Sequence, residues 1–147
     1  MMKPYRLALV VLFTGLLLAA CGAAQTPRPV EVTVTLKEFS VESSVTDFKP
    51  GTSYHFKVTN AGQIPHEFMI MPLMMDGMDM GGMQGMTMEE RDATALVMIP
   101  EEQLGPGATA EVDYTFTEET SGAGIEMVCT LPGHLEAGMH MPINIGK

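Results

Sequence analysis

The sequence predicts an all-β fold, a sandwich or barrel of about seven or eight short strands. Three observations predict it: apolar and polar side chains alternate over short stretches, β-branched and aromatic residues are enriched in those stretches, and turn residues separate them. At 147 residues, the chain suits one compact domain with a single core.

Four extended segments are predicted in the first half of the chain. Residues 30–37 alternate valine or leucine with polar residues, which predicts a strand with one buried face. A less regular segment, 39–48, ends at a Lys-Pro-Gly turn. The alternation resumes over 54–58, and a further extended segment, 64–70, carries His66.

The second half contains four more strand candidates. Residues 95–99 form a short apolar stretch, and 110–116 alternate clearly. Residues 125–128 lead directly into Cys129, and 141–145 close the chain as the last predicted strand. The whole pattern therefore favours a single β domain over residues 30–147.

The N-terminus has the features of an export signal. Lys3 and Arg6 precede an apolar run over 7–18, which is short for a membrane span. The following Leu-Ala-Ala-Cys21 resembles the lipobox of bacterial lipoproteins, in which the cysteine is lipidated. We therefore expect a signal peptide over 1–20, a lipidated Cys21 with a tether to residue 29, and a location at the bacterial cell envelope, outside the cytoplasm. A signal peptide cut nearby and a retained anchoring helix are the alternatives.

Lipidation of Cys21 would change the role of the second cysteine. Two cysteines in an exported protein otherwise suggest a disulfide, here between Cys21 and Cys129. A lipidated Cys21 leaves Cys129 unpaired, and a lone thiol in an oxidising compartment favours a role as metal ligand.

The chain is strongly acidic. Its formal net charge is −10, and loss of Lys3 and Arg6 with the signal leaves six basic against eighteen acidic residues, or −12. Nucleic acid is therefore not an expected partner, and an acidic surface favours basic partner proteins.

Soft and borderline metal ligands cluster near the C-terminus. Cys129, His134 and Met139 are separated by two intervals of four residues. With one cysteine available, a four-cysteine iron-sulfur or zinc site is excluded within a single chain. Two histidines, a thiolate and a weak axial methionine are the ligands of a blue-copper site, and His66 is the natural second imidazole.

With these residues, the chain resembles the cupredoxins, the plastocyanin- and azurin-like blue copper proteins, over about residues 30–147. The sequence CTLPGHLEAGM after residue 128 and the HEF triplet at 66 carry the resemblance. It implies an antiparallel Greek-key β-sandwich with one type 1 copper held by His66, Cys129, His134 and Met139. It also implies a monomer that passes single electrons to redox partner proteins and is not an enzyme, with His134 as the electron portal.

Two neighbouring positions bear on how this site would be tuned. Many small cupredoxins have asparagine after the first histidine, whereas this chain has Glu67. We expect Glu67 to accept a hydrogen bond from Thr130 and so tie the two ligand segments together. His140 and Met141 are rival axial ligands, but family spacing favours Met139, and we expect both on the last strand or the loop surface.

Strand alternation makes a prediction for a third histidine. Residue 55 lies inside the predicted strand over 54–58, at a position where the alternating pattern turns side chains outward. His55 should therefore face solvent.

A methionine-rich insertion over 71–88 interrupts the strand pattern. Nine of the twenty residues from Met69 to Met88 are methionine, and thioethers bind Cu(I) without losing a proton. Residues 87–90 predict a short helical turn capped by Thr87. Packing as an apolar stripe and a low-complexity loop are alternatives to copper binding, and the insertion adds a second functional hypothesis, a copper chaperone or tolerance protein working with copper-handling proteins. The candidate ligands of this additional Cu(I) site are Met74, Met75, Met78, Met80, Met83 and Met86.

Overall fold

The computed structural model describes residues 28–72, 87–122 and 124–146. Within these ranges the chain forms nine strands, one α-helix and two 3-10 helices, Glu101–Gln103 and Glu118–Thr120. The strands are β1 (Val30–Lys37), β2 (Ser40–Ser43), β3 (Asp47–Phe48), β4 (Ser53–Asn60), β5 (Phe68–Pro72), β6 (Val97–Ile99), β7 (Thr109–Thr115), β8 (Ile125–Val128) and β9 (His140–Ile145). The helix, α1, spans Met88–Asp92.

The strands form two sheets, which confirms the predicted all-β sandwich. One sheet has the order β2-β1-β4-β7 and the other the order β3-β9-β8-β5-β6. The antiparallel description needs one correction, because β1 pairs with β4, and β3 with β9, in parallel. Parallel neighbours need a crossover, and the chain supplies one by passing through β2 and then β3 of the other sheet before it returns as β4.

Alternating apolar residues of both sheets fill the core between them. On β1, Val32, Val34 and Leu36 are fully buried while their neighbours face outward, as the period-2 pattern predicts. Phe48 packs against the rings of Tyr54 and Phe116, with ring centroids 4.9 and 5.0 Å away.

A second, smaller apolar cluster lies on the outer face of the five-stranded sheet. Met69 and Met71 of β5 and Val128 of β8 are buried there, packed by Ala95 and Leu135. Because both faces of β5 are covered, its residues from Phe68 to Met71 are all buried and show no alternation. This explains why the sequence pattern around residue 70 is continuous rather than periodic.

The ends of the methionine-rich insertion lie in regular structure. Pro72 closes β5 and Met88 opens α1, which has the predicted cap: Thr87 Oγ1 accepts from the Glu90 N–H, and the Glu90 carboxylate accepts from the Thr87 N–H at 2.8 Å. The six candidate Cu(I) ligands, like Cys21, the signal and most of the tether, lie outside the described residues. None of the helices in the described ranges is long and apolar enough to cross a membrane.

Candidate metal centre

Two loops at one end of the sandwich carry the predicted ligands. His66 lies in the loop between β4 and β5, and the other three lie in the loop between β8 and β9. Cys129 follows β8 directly, and its N–H donates to the Met139 carbonyl at 3.0 Å. The Met139 N–H in turn donates to the His134 carbonyl at 3.0 Å, so the loop closes on itself and returns to the start of β9.

Three ligand side chains converge on one point. His66 Nδ1 and His134 Nδ1 are 3.3 Å apart, and Cys129 Sγ is 3.3 Å from His134 Nδ1. The ligand atoms all lie within 4.8 Å of one another. Two nitrogens about 2.0 Å from one ion, at tetrahedral or trigonal angles, are separated by about 3.3–3.5 Å. The donor set therefore fits a single metal ion.

The site is shielded from water on its inner side. His66 and Cys129 are completely buried, while His134 is half-buried. Burial, reinforced by the neighbouring His134 ring, lowers the pKa of His66, so its imidazole is neutral and can offer a lone pair at neutral pH. The nitrogen of His66 that faces the other candidate ligands is Nδ1. Its Nε2 is buried and has no hydrogen-bond partner among the described residues.

The Cys129 thiol experiences two opposing influences. Burial raises the pKa of Cys129, while the N–H groups of Glu67 and Leu131 near the sulfur favour the thiolate and offset part of that rise. A metal ion that binds the sulfur displaces the thiol proton, which passes to the solvent. Metal binding at this site should therefore release a proton.

The fourth predicted ligand, Met139, and one of its rivals, His140, lie on different faces. Met139 is completely buried in the loop, immediately before β9. His140 lies opposite Val128 on the outer face, with Nδ1 3.2 Å from the buried carboxylate of Glu126, and Met141 packs at the edge of the core. The predicted placement of His140 and Met141 on the last strand is confirmed.

The expected contact between Glu67 and Thr130 is confirmed. One carboxylate oxygen of Glu67 accepts from the Thr130 N–H at 2.8 Å and from the Thr130 hydroxyl at 2.6 Å. Both residues are buried, and each directly follows a candidate ligand, His66 or Cys129. Hydrogen bonds to a buried carboxylate are stronger than neutral ones, so this contact fixes the two ligand segments relative to each other.

Asn60 organises the loop that carries His66, and sequence reasoning missed this role. The buried Asn60 side chain donates to the carbonyls of Ile64 and Leu104 at 2.8 and 2.7 Å and accepts from the Gly62 N–H at 2.8 Å. The His66 N–H also donates to the Leu104 carbonyl, at 3.2 Å. The sequence around Asn60 indicates only a turn, because its partner at residue 104 is distant along the chain.

A second missed residue, Glu38, holds the same loop from the β1–β2 turn. Its carboxylate accepts from the N–H groups of Gln63 and Ile64, and these bonds lower the pKa of Glu38. Gly62 permits this approach, since a Cβ at that position would lie 2.6 Å from the Glu38 carboxylate. No local sequence signal identifies this pair.

A third missed residue, Arg91 of α1, contacts the ligand loop. Its Nη1 donates to the Thr130 carbonyl at 2.8 Å. His55, in contrast, lies on the outer face of the other sheet as predicted, where Nδ1 is 2.6 Å from Asp113. His55 is therefore remote from the metal centre.

Comparison with known proteins finds three sequence relatives that carry the same name. The chain is similar to the copper-resistant cuproprotein CopI of Pseudomonas aeruginosa, at 28% identity over 80% of this chain and 75% of that protein. It is also similar to CopI of Vibrio cholerae, at 31% identity over 66% of this chain and 53% of that protein. CopI of Rubrivivax gelatinosus is 28% identical over 80% of this chain and 66% of that protein. No protein-family model matches the chain.

Solved structures with the same fold include an auracyanin and an azurin. Reduced auracyanin of Roseiflexus castenholzii superposes with a TM-score of 0.57 at 14% identity and covers 83% of this chain and all of its own. An azurin of Methylomonas sp. strain J superposes with a TM-score of 0.55 at 16% identity, covering 80% of this chain and 98% of its own. At these identities the likeness shows the fold, and it confirms the resemblance found in the sequence: the chain has the cupredoxin fold.

Proposed function

We propose that the protein binds one copper ion through His66, Cys129 and His134, with Met139 as a weak axial ligand. The observation that carries the proposal is the convergence of two imidazole nitrogens and one thiol sulfur within 4.8 Å, at a site that buries the thiol. Two imidazoles and one thiolate are the ligands that a mononuclear blue-copper site uses. The names of the relatives, copper-resistant cuproproteins, support the same metal.

The geometry best supports a carrier of single electrons. Copper, when bound, would supply a one-electron redox couple. The buried His66 and Cys129 exclude water from the site, and the contact between Glu67 and Thr130 limits rearrangement between oxidation states. His134 is half-buried and reaches toward the surface, so it is the proposed electron portal.

The proposal extends to the setting of the protein. It acts as a monomer at the outer side of a bacterial membrane, anchored through a lipid on Cys21. It exchanges electrons with redox partner proteins and needs no general acid or base, so it is not an enzyme. The net charge of −12 without Lys3 and Arg6 supports basic partners. Mass spectrometry of the native protein from membranes tests the anchor, and a mature N-terminus other than a lipidated Cys21 would refute it.

Copper titration tests the site model. Apo protein titrated with Cu(II) should gain an intense visible absorption that saturates at one equivalent. His66→Gln should lose it, whereas the matched variant His55→Gln, altered on the far sheet, should keep it. A colourless complex, or equal behaviour of the two histidine variants, would contradict the proposed site.

Copper tolerance or trafficking is the second candidate function. The names of all three relatives favour it, and so does the methionine-rich insertion.

Because Met71 is buried in β5 and Met88 begins α1, the informative variant changes only Met74, Met75, Met78, Met80, Met83 and Met86, each to leucine. Loss of additional Cu(I) equivalents, with the coloured site intact, would support trafficking. Unchanged binding of a single copper would favour the electron carrier.

A further inference from the structure

Thr130, the residue after Cys129, is held on two sides by oppositely charged side chains. Its N–H and hydroxyl both donate to the Glu67 carboxylate, as described above. Its carbonyl accepts from Arg91 Nη1 at 2.8 Å. The peptide groups around Thr130 are therefore fixed in orientation by an anion on one side and a cation on the other.

Arg91 is placed by a helix with a well-defined start. The Thr87–Glu90 capping box fixes the first turn of α1, and Arg91 lies in its last turn. The guanidinium is partly withdrawn from water, because its Nε is shielded from solvent. A charge in such a position is screened less than a surface charge.

The charge of Arg91 lies close to the candidate ligand sulfur. Thr130 directly follows Cys129, so the 2.8 Å contact and the bond lengths of the chain keep the guanidinium within about 12 Å of the sulfur. Glu67 is also next to a ligand and carries the opposite charge. Without a cation nearby, Glu67 and the thiolate together would favour the more positive oxidation state of a bound ion.

We propose that Arg91 is a positioning residue of the metal centre: it holds the Thr130 carbonyl, and its positive charge favours the reduced state of the bound ion. This inference rests on the proposed copper site. It assigns to α1, which begins where the methionine-rich insertion ends, a direct contact with the ligand loop. The role separates into two parts, the hydrogen bond and the charge.

Two substitutions at position 91 separate these parts. Arg91→Gln keeps an N–H donor but removes the charge, and Arg91→Lys keeps the charge but loses the planar fork. A unit charge at about 12 Å, at an effective dielectric of about 20–40, changes the ratio of Cu(I) to Cu(II) affinity by about three- to tenfold. Arg91→Gln should lower that ratio by this factor, and Arg91→Lys should stay within about twofold of the wild type. Lys57→Gln, which removes an exposed cation from β4, is the matched control and should change nothing.

The ratio is measured by competition with chelators selective for each oxidation state. A second readout uses the apo protein and a variant, Arg91→Ala, that removes the N–H donor as well as the charge: amide hydrogen exchange at Thr130, whose N–H donates to Glu67, should be faster in Arg91→Ala than in Lys57→Gln. The inference holds only if both readouts change as stated. An Arg91→Gln protein that matches the control in the affinity ratio, or an Arg91→Ala protein that matches it in the exchange rate, overturns it.

The experiment distinguishes this inference from the proposed function. If the wild type binds no copper, the proposed function fails, and the electrostatic part of the inference fails with it. The exchange measurement would then still decide whether Arg91 holds the ligand loop. If the wild type binds one copper and position 91 has no effect, only the role of Arg91 is refuted.

Discussion

The two ends of the sandwich are built by different physical means. At the end where β3 meets the end of β9, Phe48 packs against Tyr54 and Phe116 and gains stability from apolar burial, which is non-directional. At the metal end, buried polar groups hold two loops through specific hydrogen bonds, such as that between Glu67 and Thr130. We therefore expect the aromatic end to contribute mainly to the stability of the domain, and the polar end to fix where the candidate ligands lie.

Cys129→Ser should have the largest effect, and that effect should be limited to the metal end. Serine cannot supply the soft thiolate, so we expect complete loss of the visible absorption of the copper complex. The free energy of unfolding of the apo protein should change by only about 1 kcal/mol, because the two side chains are nearly the same size. Visible spectroscopy and denaturant unfolding measure the two effects. Retained colour would show that the sulfur is not a ligand.

Phe48→Ala should have the opposite pattern of effects, with a large loss of stability and no change in copper affinity. Removing a fully buried ring from the aromatic cluster should lower the free energy of unfolding by about 3–5 kcal/mol. The copper affinity of the folded fraction should remain unchanged. Phe39→Ala is the matched control, since Phe39 is 62% exposed, and its effect should be much smaller. A Phe48→Ala protein with altered copper affinity would show that the two ends are coupled.

Glu67→Gln should affect mainly the metal end, with a smaller magnitude. The neutral amide weakens two hydrogen bonds from Thr130, and loss of such a supporting contact typically costs about tenfold or more in metal affinity. Isothermal titration measures the affinity, and Glu102→Gln at an exposed position serves as the control. Equal copper affinities of Glu67→Gln and Glu102→Gln would show that Glu67 does not support the site.

The contrast between the ends also explains what sequence reasoning could find. The ligand types and their spacing predicted a cluster of His66, Cys129 and His134, which the structure brings together, and the period-2 pattern predicted the core of β1. The contact of Glu67 with Thr130 was predictable because each residue follows a candidate ligand. Local signals sufficed in these cases.

The remaining contacts depend on tertiary pairing. Asn60 reaches residue 104, Glu38 reaches the loop at 63–64, and Arg91 reaches Thr130, each across a long stretch of chain. The parallel pairing of β1 with β4 was missed for the same reason, since alternation reveals a buried face but not the neighbouring strand. A single sequence carries no local signal for such pairs.

The smallest expected effect concerns His55, which belongs to neither end. Hydrogen bonding to Asp113, the main cause, raises the pKa of His55 above its usual 6.5. The protonated pair therefore stabilises the fold fully below about that pH, and the contribution is lost as the pH rises through the raised pKa. Apo wild type should lose stability relative to His55→Gln over that range in thermal unfolding. A pH-independent difference between the two proteins would contradict the ion pair.

X-ray absorption at the copper edge tests the central claim most directly. For protein loaded with one equivalent, we expect one sulfur and two nitrogens at direct-bonding distance from the metal. The short sulfur contribution should be absent in Cys129→Ser. A shell of only nitrogen and oxygen, or of several equivalent sulfurs, would contradict a copper centre built from His66, Cys129 and His134.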